Sequence, residues 1–180
     1  MKTGLDVILM YEKNKAIELA DMRIAAASLC CIALFVLIPQ LNNVAVNAAA
    51  LATIIFCCGE NSKSSLQMAL TRMKAILVGF LVGSLVVLIN QWIPAKGLFV
   101  FLAALGLLGV LAIGWAVKLP YIQTKIGCVI YVLVILVMQG SFRITYGIMF
   151  VAGSLIGACI AVTVAWLFDI CRKGRKDNKI

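Results

Sequence analysis

The residues able to do acid–base or binding chemistry are few, and most of them are cations. Histidine is absent, which removes His-based zinc sites, Ser-His-Asp triads and imidazole proton transfer. Cys30, Cys31, Cys57, Cys58, Cys128, Cys159 and Cys171 stand singly or in adjacent pairs, never as C-x-x-C. They read as small, soft packing residues, and no metal ligand set or redox centre follows from them. What remains in or beside the apolar runs is Arg72, Lys74, Lys125 and Arg143, with Glu60 and Asn61. An arginine fork meets a carboxylate through two parallel hydrogen bonds, whereas lysine offers a point charge. Lys125 lies about a turn inside an apolar segment, where an ionisable residue is a functional candidate, although its stem also lets the ammonium reach the headgroups. Arg72 and Arg143 stand at the mouths of apolar segments, and Lys74 is a step outside one. Arg143 also reads as a solvated loop charge. Glu60 is the only acid between Arg23 and Asp169. It can pair with Arg72 or Lys63 as a gate, carry a coupling proton, or end a helix together with Asn61. Asn47 is the uncharged polar residue best placed to line a pathway. No deep acid–base pair exists, so the chain is read as no enzyme and as needing no cofactor.

These residues are set in a very apolar chain. Of 180 residues, 64% are hydrophobic and 13% charged, and the mean hydropathy is +1.10. Soluble domains are nearer about 45–50% apolar and about 25% charged. The composition excludes a water-soluble globular domain, a disordered chain and a coiled coil, and leaves an integral membrane protein. Six apolar segments can be drawn: Ile24–Ile38, Val44–Cys58, Ala75–Ile93, Gly97–Val117, Tyr121–Met138 and Ile144–Phe168. The second is dominated by alanine and carries Asn47 and Thr53, so it belongs among other helices and not in lipid. Residues 1–21 mix charges with apolar residues at helical spacing and read as a surface amphipathic helix running into the first span, or equally as a membrane-dipped extension of that span. Gly59–Lys74 is the longest polar stretch and is expected to continue as helix into the third span. Residues 22–169 form the membrane module, and 170–180 a basic tail read as disordered, with a lipid-surface role.

The charge surplus of +9 is distributed by side. With the N-terminus inside, 14 Lys and Arg fall inside, and only Lys96 and Arg143 fall outside. That asymmetry supports six spans with both termini in the cytoplasm and makes nucleic-acid binding unnecessary as an explanation. Membrane lipids are then the first partners. The chain offers no Walker motif, so transport through it would run downhill or with an ion gradient, unless a partner supplies energy.

The third and sixth segments share a pattern. Gly79 and Gly83 stand four apart in one, and Gly153 and Gly157 four apart in the other. Small residues at this spacing let helices cross closely. If the halves are repeats of three spans, they run inverted, a transporter construction with its site near the midplane. The fold class predicted is an all-α integral membrane protein of six transmembrane helices in two inverted three-helix repeats, N-in and C-in.

Met22-Arg-Ile-Ala-Ala-Ala, the Thr53-Ile-Ile-Phe-Cys-Cys-Gly-Glu-Asn61 exit of the second segment, and Arg72 before the glycine-bearing third resemble the aromatic acid exporter superfamily. Its members include fusaric-acid-resistance-like bacterial proteins and, more distantly, plant aluminium-activated malate transporters. The resemblance covers about residues 20–169, one six-span module. Of the family's Arg-x-x-Gly-Thr-x-x-Gly pattern, Arg72 and Gly79 are kept, with Ala75 and Ile76 in the middle. In the sixth segment Gly153, Ser154 and Gly157 fit, and Phe150 stands where arginine is expected. The resemblance implies a bacterial plasma-membrane transporter exporting small organic anions such as aromatic carboxylates, proton-coupled or passive. It also implies a homodimer or higher homo-oligomer. Arg72 and Lys125 would attract the carboxylate, with Arg143, Lys74 and Asn47 along its path and Glu60 and Asn61 at the gate. An anion channel of the same architecture is the first alternative, and a non-transporting assembly or regulatory subunit the second.

Overall fold

A computed structural model of the chain describes residues 4–38, 43–59, 61–93, 96–137 and 143–177, with side chains from residue 20 onward except those of 96, 137, 143 and 173–177. The described residues are helical with short connections and contain no strand. The helices are α1 (Gly4–Leu37), α2 (Val44–Cys57), α3 (Ser62–Trp92), α4 (Lys96–Ala116), α5 (Tyr121–Val132) and α6 (Arg143–Asp177). A π-helical turn, Leu133–Val137, continues α5.

Four stretches are long and apolar enough to cross a membrane: Ala20–Leu37, Ser62–Trp92, Gly97–Ala116 and Ile144–Arg172. This is the make-up of a multi-pass membrane protein. Val44–Cys57 and Tyr121–Leu136 are apolar but shorter. At about 1.5 Å per residue, the 14 residues of α2 extend about 21 Å, against about 30 Å of hydrocarbon.

Helix boundaries agree with the sequence expectation at one place and differ at another. Helix α3 starts at Ser62, so the polar stretch before Ala75 does continue as helix. Helix α6 runs through Asp177, which corrects the expectation of a disordered tail after Phe168. Lys and Arg are good helix formers, and their charge is favourable where the carbonyls of a helix C-terminus converge. Glu60 and Met138 lie outside the described residues.

The chain divides into two compact units, one of Met1–Ala69 with Ser154–Ile180, the other Leu70–Gly153. Both α3 and α6 contribute a part to each. In the first unit α1 packs on α2. Arg23, Ala27, Cys31 and Phe35 recur every fourth residue on α1, and all are buried. Helix α2 buries Ala45, Val46, Ala49, Ala50, Thr53, Ile54 and Cys57, half of its length. Its small side chains allow α6 to approach. A Cβ placed on Gly157 would fall on the Ala50 carbonyl, so the two backbones meet almost directly. Thr53 removes its hydroxyl from this apolar contact by donating to the Ala49 carbonyl, 2.7 Å away.

The second unit is built by the same means. Helix α4 packs on α5. Gly79 of α3 meets Gly127 of α5 so closely that a Cβ on Gly79 would fall on the Gly127 carbonyl. The core joins Val86 and Val87 of α3, Val110 of α4 and Tyr131 of α5 to Val134 and Ile135 of the π turn. Tyr131 is buried, and its hydroxyl donates to the Ala103 carbonyl at 2.7 Å. Gly106 leaves the space that its phenol fills. Helix α4 ends in a left-handed cap, with Lys118 at φ 56°. Its N–H donates to the Trp115 carbonyl at 3.0 Å, and that of Leu119 to the Gly114 carbonyl at 2.9 Å. These are the paired bonds of a Schellman motif, with Pro120 following to start α5.

Candidate functional site: a charged clasp and the cleft beside it

The densest polar cluster among the described residues sits at one end of the first unit. Arg23 is 1% exposed. Its Nη2 donates to Asp169 Oδ1 at 2.7 Å, and its Nη1 to the Gly59 carbonyl at 3.2 Å. The guanidinium also lies 5.8 Å from the centre of the Phe168 ring, within range of a cation–π contact. The other carboxylate oxygen of Asp169, Oδ2, accepts the Ser62 N–H at 2.8 Å. The Gly59 N–H donates to the buried Ser65 hydroxyl at 2.9 Å. Thus α1, the connection from α2 to α3, and α6 are tied through one arginine and one aspartate. Asp169 is also the cap for the first turn of α3, where free N–H groups favour a carboxylate.

This pair is absent from the sequence reading. Arg23 enters it for orientation and as part of the family resemblance, and Asp169 marks a boundary. The signal was present. Both residues sit at the end of an apolar segment on the same side, with opposite charge. Two such groups near the edge of a low-dielectric layer are expected to meet, because burying either alone is costly.

Beside the clasp lies an open cleft of about 580 Å³. Asn61, Lys63 and Arg172 line it, with Trp166 and the flank of Asp169. Of the residues singled out from sequence, Asn61 alone falls in it.

The remaining candidates occupy other environments. Arg72 is 4% exposed, so its guanidinium is inside the protein; Arg23 and Arg72 are the buried charges among the described side chains. Lys74, two residues on, is exposed, as helical geometry requires for neighbours about 200° apart. Lys125 is exposed as well, and its ammonium lies 4.4 Å from the centre of the Tyr121 ring one turn earlier. Asn47 is half-buried on α2. Arg143 begins α6, and its side chain lies outside the described residues, as does Glu60. Gly83 packs against Val134 and Tyr131. Gly153 and Gly157 are buried on α6. Phe150 packs against the cluster of Met73, Ile76 and Ile130, an apolar setting with no place for the arginine that the resemblance expects there. No group of His, Cys, Asp or Glu able to hold a metal occurs among the described residues.

No protein-family model, curated protein or solved structure matches the chain.

Proposed function

We propose that this protein is a bacterial plasma-membrane transporter that exports small organic anions such as aromatic carboxylates. Its module would have six spans, with α2 and α5 as short inner spans and both termini in the cytoplasm. The observation that carries the reading is Arg72. A guanidinium 4% exposed, on a helix long and apolar enough to cross a membrane, is held at a free-energy cost that membrane proteins accept mainly at ion and substrate pathways. Its planar fork suits a carboxylate.

The inverted three-helix repeat belongs to the same proposal, and the helix contacts support it. The first helix of each half packs on the second, α1 on α2 and α4 on α5. The third helix of each half meets the middle helix of the other, α6 at Ala50 through Gly157 and α3 at Gly127 through Gly79. Exchange of the halves turns one set of contacts into the other. Residues at corresponding positions would then frame one pathway.

Anion flux through liposomes containing the purified protein tests the reading. Benzoate-type acids, malate and chloride are compared with and without a proton gradient, for the wild type and for Arg72→Gln and Arg72→Lys. Carboxylate flux is expected, lost in Arg72→Gln and partly kept in Arg72→Lys. A response to the gradient separates a coupled exporter from a channel. Equal flux in wild type and Arg72→Gln overturns the role of Arg72. One further observation favours a second reading, a non-transporting membrane subunit. Phe150 lies in apolar packing, so the second arginine of the family pattern has no counterpart. Absence of flux from a folded preparation would select that reading.

A further inference from the structure

The cleft beside the clasp does not end at its polar mouth. It continues into a second hollow of about 520 Å³, lined by Leu66, Val162 and Thr163, with Ser62, Lys63 and Trp166 shared between the two. Polar character is graded along it. Asn61, Asp169 and Arg172 line the first hollow alone and Leu66, Val162 and Thr163 the second alone, with Lys63 and Trp166 between them. Along α6, Arg172 to Val162 is ten residues, or about 15 Å. On α3, Lys63 lies in the first turn and Leu66 about a turn further along, both before the apolar run that opens at Ala75. On α6, therefore, the cation lies just past the end of the apolar segment, and Val162 and Trp166 lie within it.

We infer that this hollow is a binding site for one anionic phospholipid, with its phosphate between Lys63 and Arg172 and the upper part of an acyl chain along Leu66, Val162 and Trp166. The charge complementarity is specific. Asp169 also faces the mouth, but its carboxylate oxygens are held by Arg23 and by the Ser62 N–H, so its charge is offset inside the clasp. Lys63 and Arg172 are exposed and dominate the field at the opening. Each basic residue near an anionic surface contributes roughly a five-fold preference. Half-exposed Trp166 is at the depth where indole rings collect, with an apolar body in the chain region and an N–H toward the headgroups. The site rests on the membrane reading and is independent of any anion flux.

The test uses the purified full chain in detergent micelles, with lipid retention followed by native mass spectrometry. Phosphatidylglycerol and phosphatidylcholine of the same chain length are the probes, beside inorganic phosphate. The variants are Lys63→Gln with Arg172→Gln, which removes the charges, and Leu66→Trp, which fills the groove. Phosphatidylglycerol is expected to be retained over phosphatidylcholine, with the charge-removing pair weakening it by about ten-fold or more. Leu66→Trp is expected to release it while both cations remain. A phosphatidylglycerol carrying a photoreactive acyl chain is expected to label residues 62–66 or 162–166. Equal retention of the two lipids, unchanged retention in the double variant, or labelling elsewhere overturns the site. So does full displacement of lipid by inorganic phosphate, which would mark a site for free phosphate. A Leu66→Cys variant that cross-links to a second copy as completely with phosphatidylglycerol as without it would show the groove to be a protein interface.

Discussion

Arg23 and Asp169 do opposite amounts of desolvation for one contact. The arginine is 1% exposed and the aspartate side chain 23%, so the cation depends on the pair more than the anion does. Removing one partner of a buried pair costs about 3–5 kcal/mol, mostly because the other is left uncompensated. Asp169→Asn is therefore expected to lower stability by about 3 kcal/mol in thermal or denaturant unfolding in micelles. Asn keeps the shape and part of the hydrogen bonding, but not the charge. The exchanged pair, Arg23→Asp with Asp169→Arg, should recover less than half of that loss. The Gly59 carbonyl and the Ser62 N–H are each placed for one sign of charge. Full recovery by the exchange would show that the pair acts by attraction alone. At this scale little was legible in the sequence. The types that can bind a carboxylate were plain, and their burial was not. Arg72 and Lys74 are two residues apart, one buried and one exposed, a distinction set by helix phase against neighbours that a single chain does not reveal.

Helices are where the sequence was most readable. Apolar run length marked the segments, and the alanine content of the second pointed to protein neighbours, which half of α2 meets while Val44, Ile55 and Phe56 stay exposed. The four-apart glycines of α3 and α6 pointed to close crossings, and Gly79 and Gly157 make them. Gly127, the partner of Gly79 on α5, carried no such pattern and was missed. The crossings yield a contrast. Gly79→Ala should cost about 2 kcal/mol, because the new methyl falls on backbone that cannot swing aside. Gly97→Ala meets nothing within 4 Å, and should be neutral or stabilising by up to about 1 kcal/mol. Parallel unfolding curves of the two variants read this directly, and equal effects would sink it. The cap of α4 offers the reverse experiment. Lys118 holds a left-handed φ of 56°, which costs a residue with a Cβ about 1–2 kcal/mol. Lys118→Gly is expected to stabilise by about 0.5–1 kcal/mol, after the greater unfolded-state freedom of glycine is subtracted. A lower melting temperature in that variant would count against the cap.

For the whole molecule the question is how many helices cross. Four have the length for it unaided, while α2 and α5 with its π turn fall short of a bilayer unless their neighbours shield their ends. Charge and length thus speak to different things. The 14-to-2 distribution of Lys and Arg requires all six segments to cross, whereas length alone supports four. Single cysteines at Lys63, Lys96, Lys118 and Lys179 in a cysteine-free background, probed with an impermeant maleimide, separate the two. Lys63, Lys118 and Lys179 are expected to label from the cytoplasm, and Lys96 from the outside. Labelling of Lys63 from the outside would mean that α2 does not cross, and the inverted repeat would fall with it.

The clasp also bears on how the protein is made. Synthesis delivers Arg23 early and Asp169 late, 146 residues further on. Until the last helix enters the bilayer, the first carries a guanidinium whose counter-charge has not yet been translated. A ribosome that stops before α6 leaves a chain in which this arginine and the Ser62 N–H both lack the carboxylate that receives them. Such a nascent chain displays the exposed polar groups that membrane proteases and insertases act on. Products truncated before Asp169 should therefore turn over quickly in cells, and those ending just beyond it should persist. Closure of the clasp would be the step at which an unfinished chain becomes a finished one.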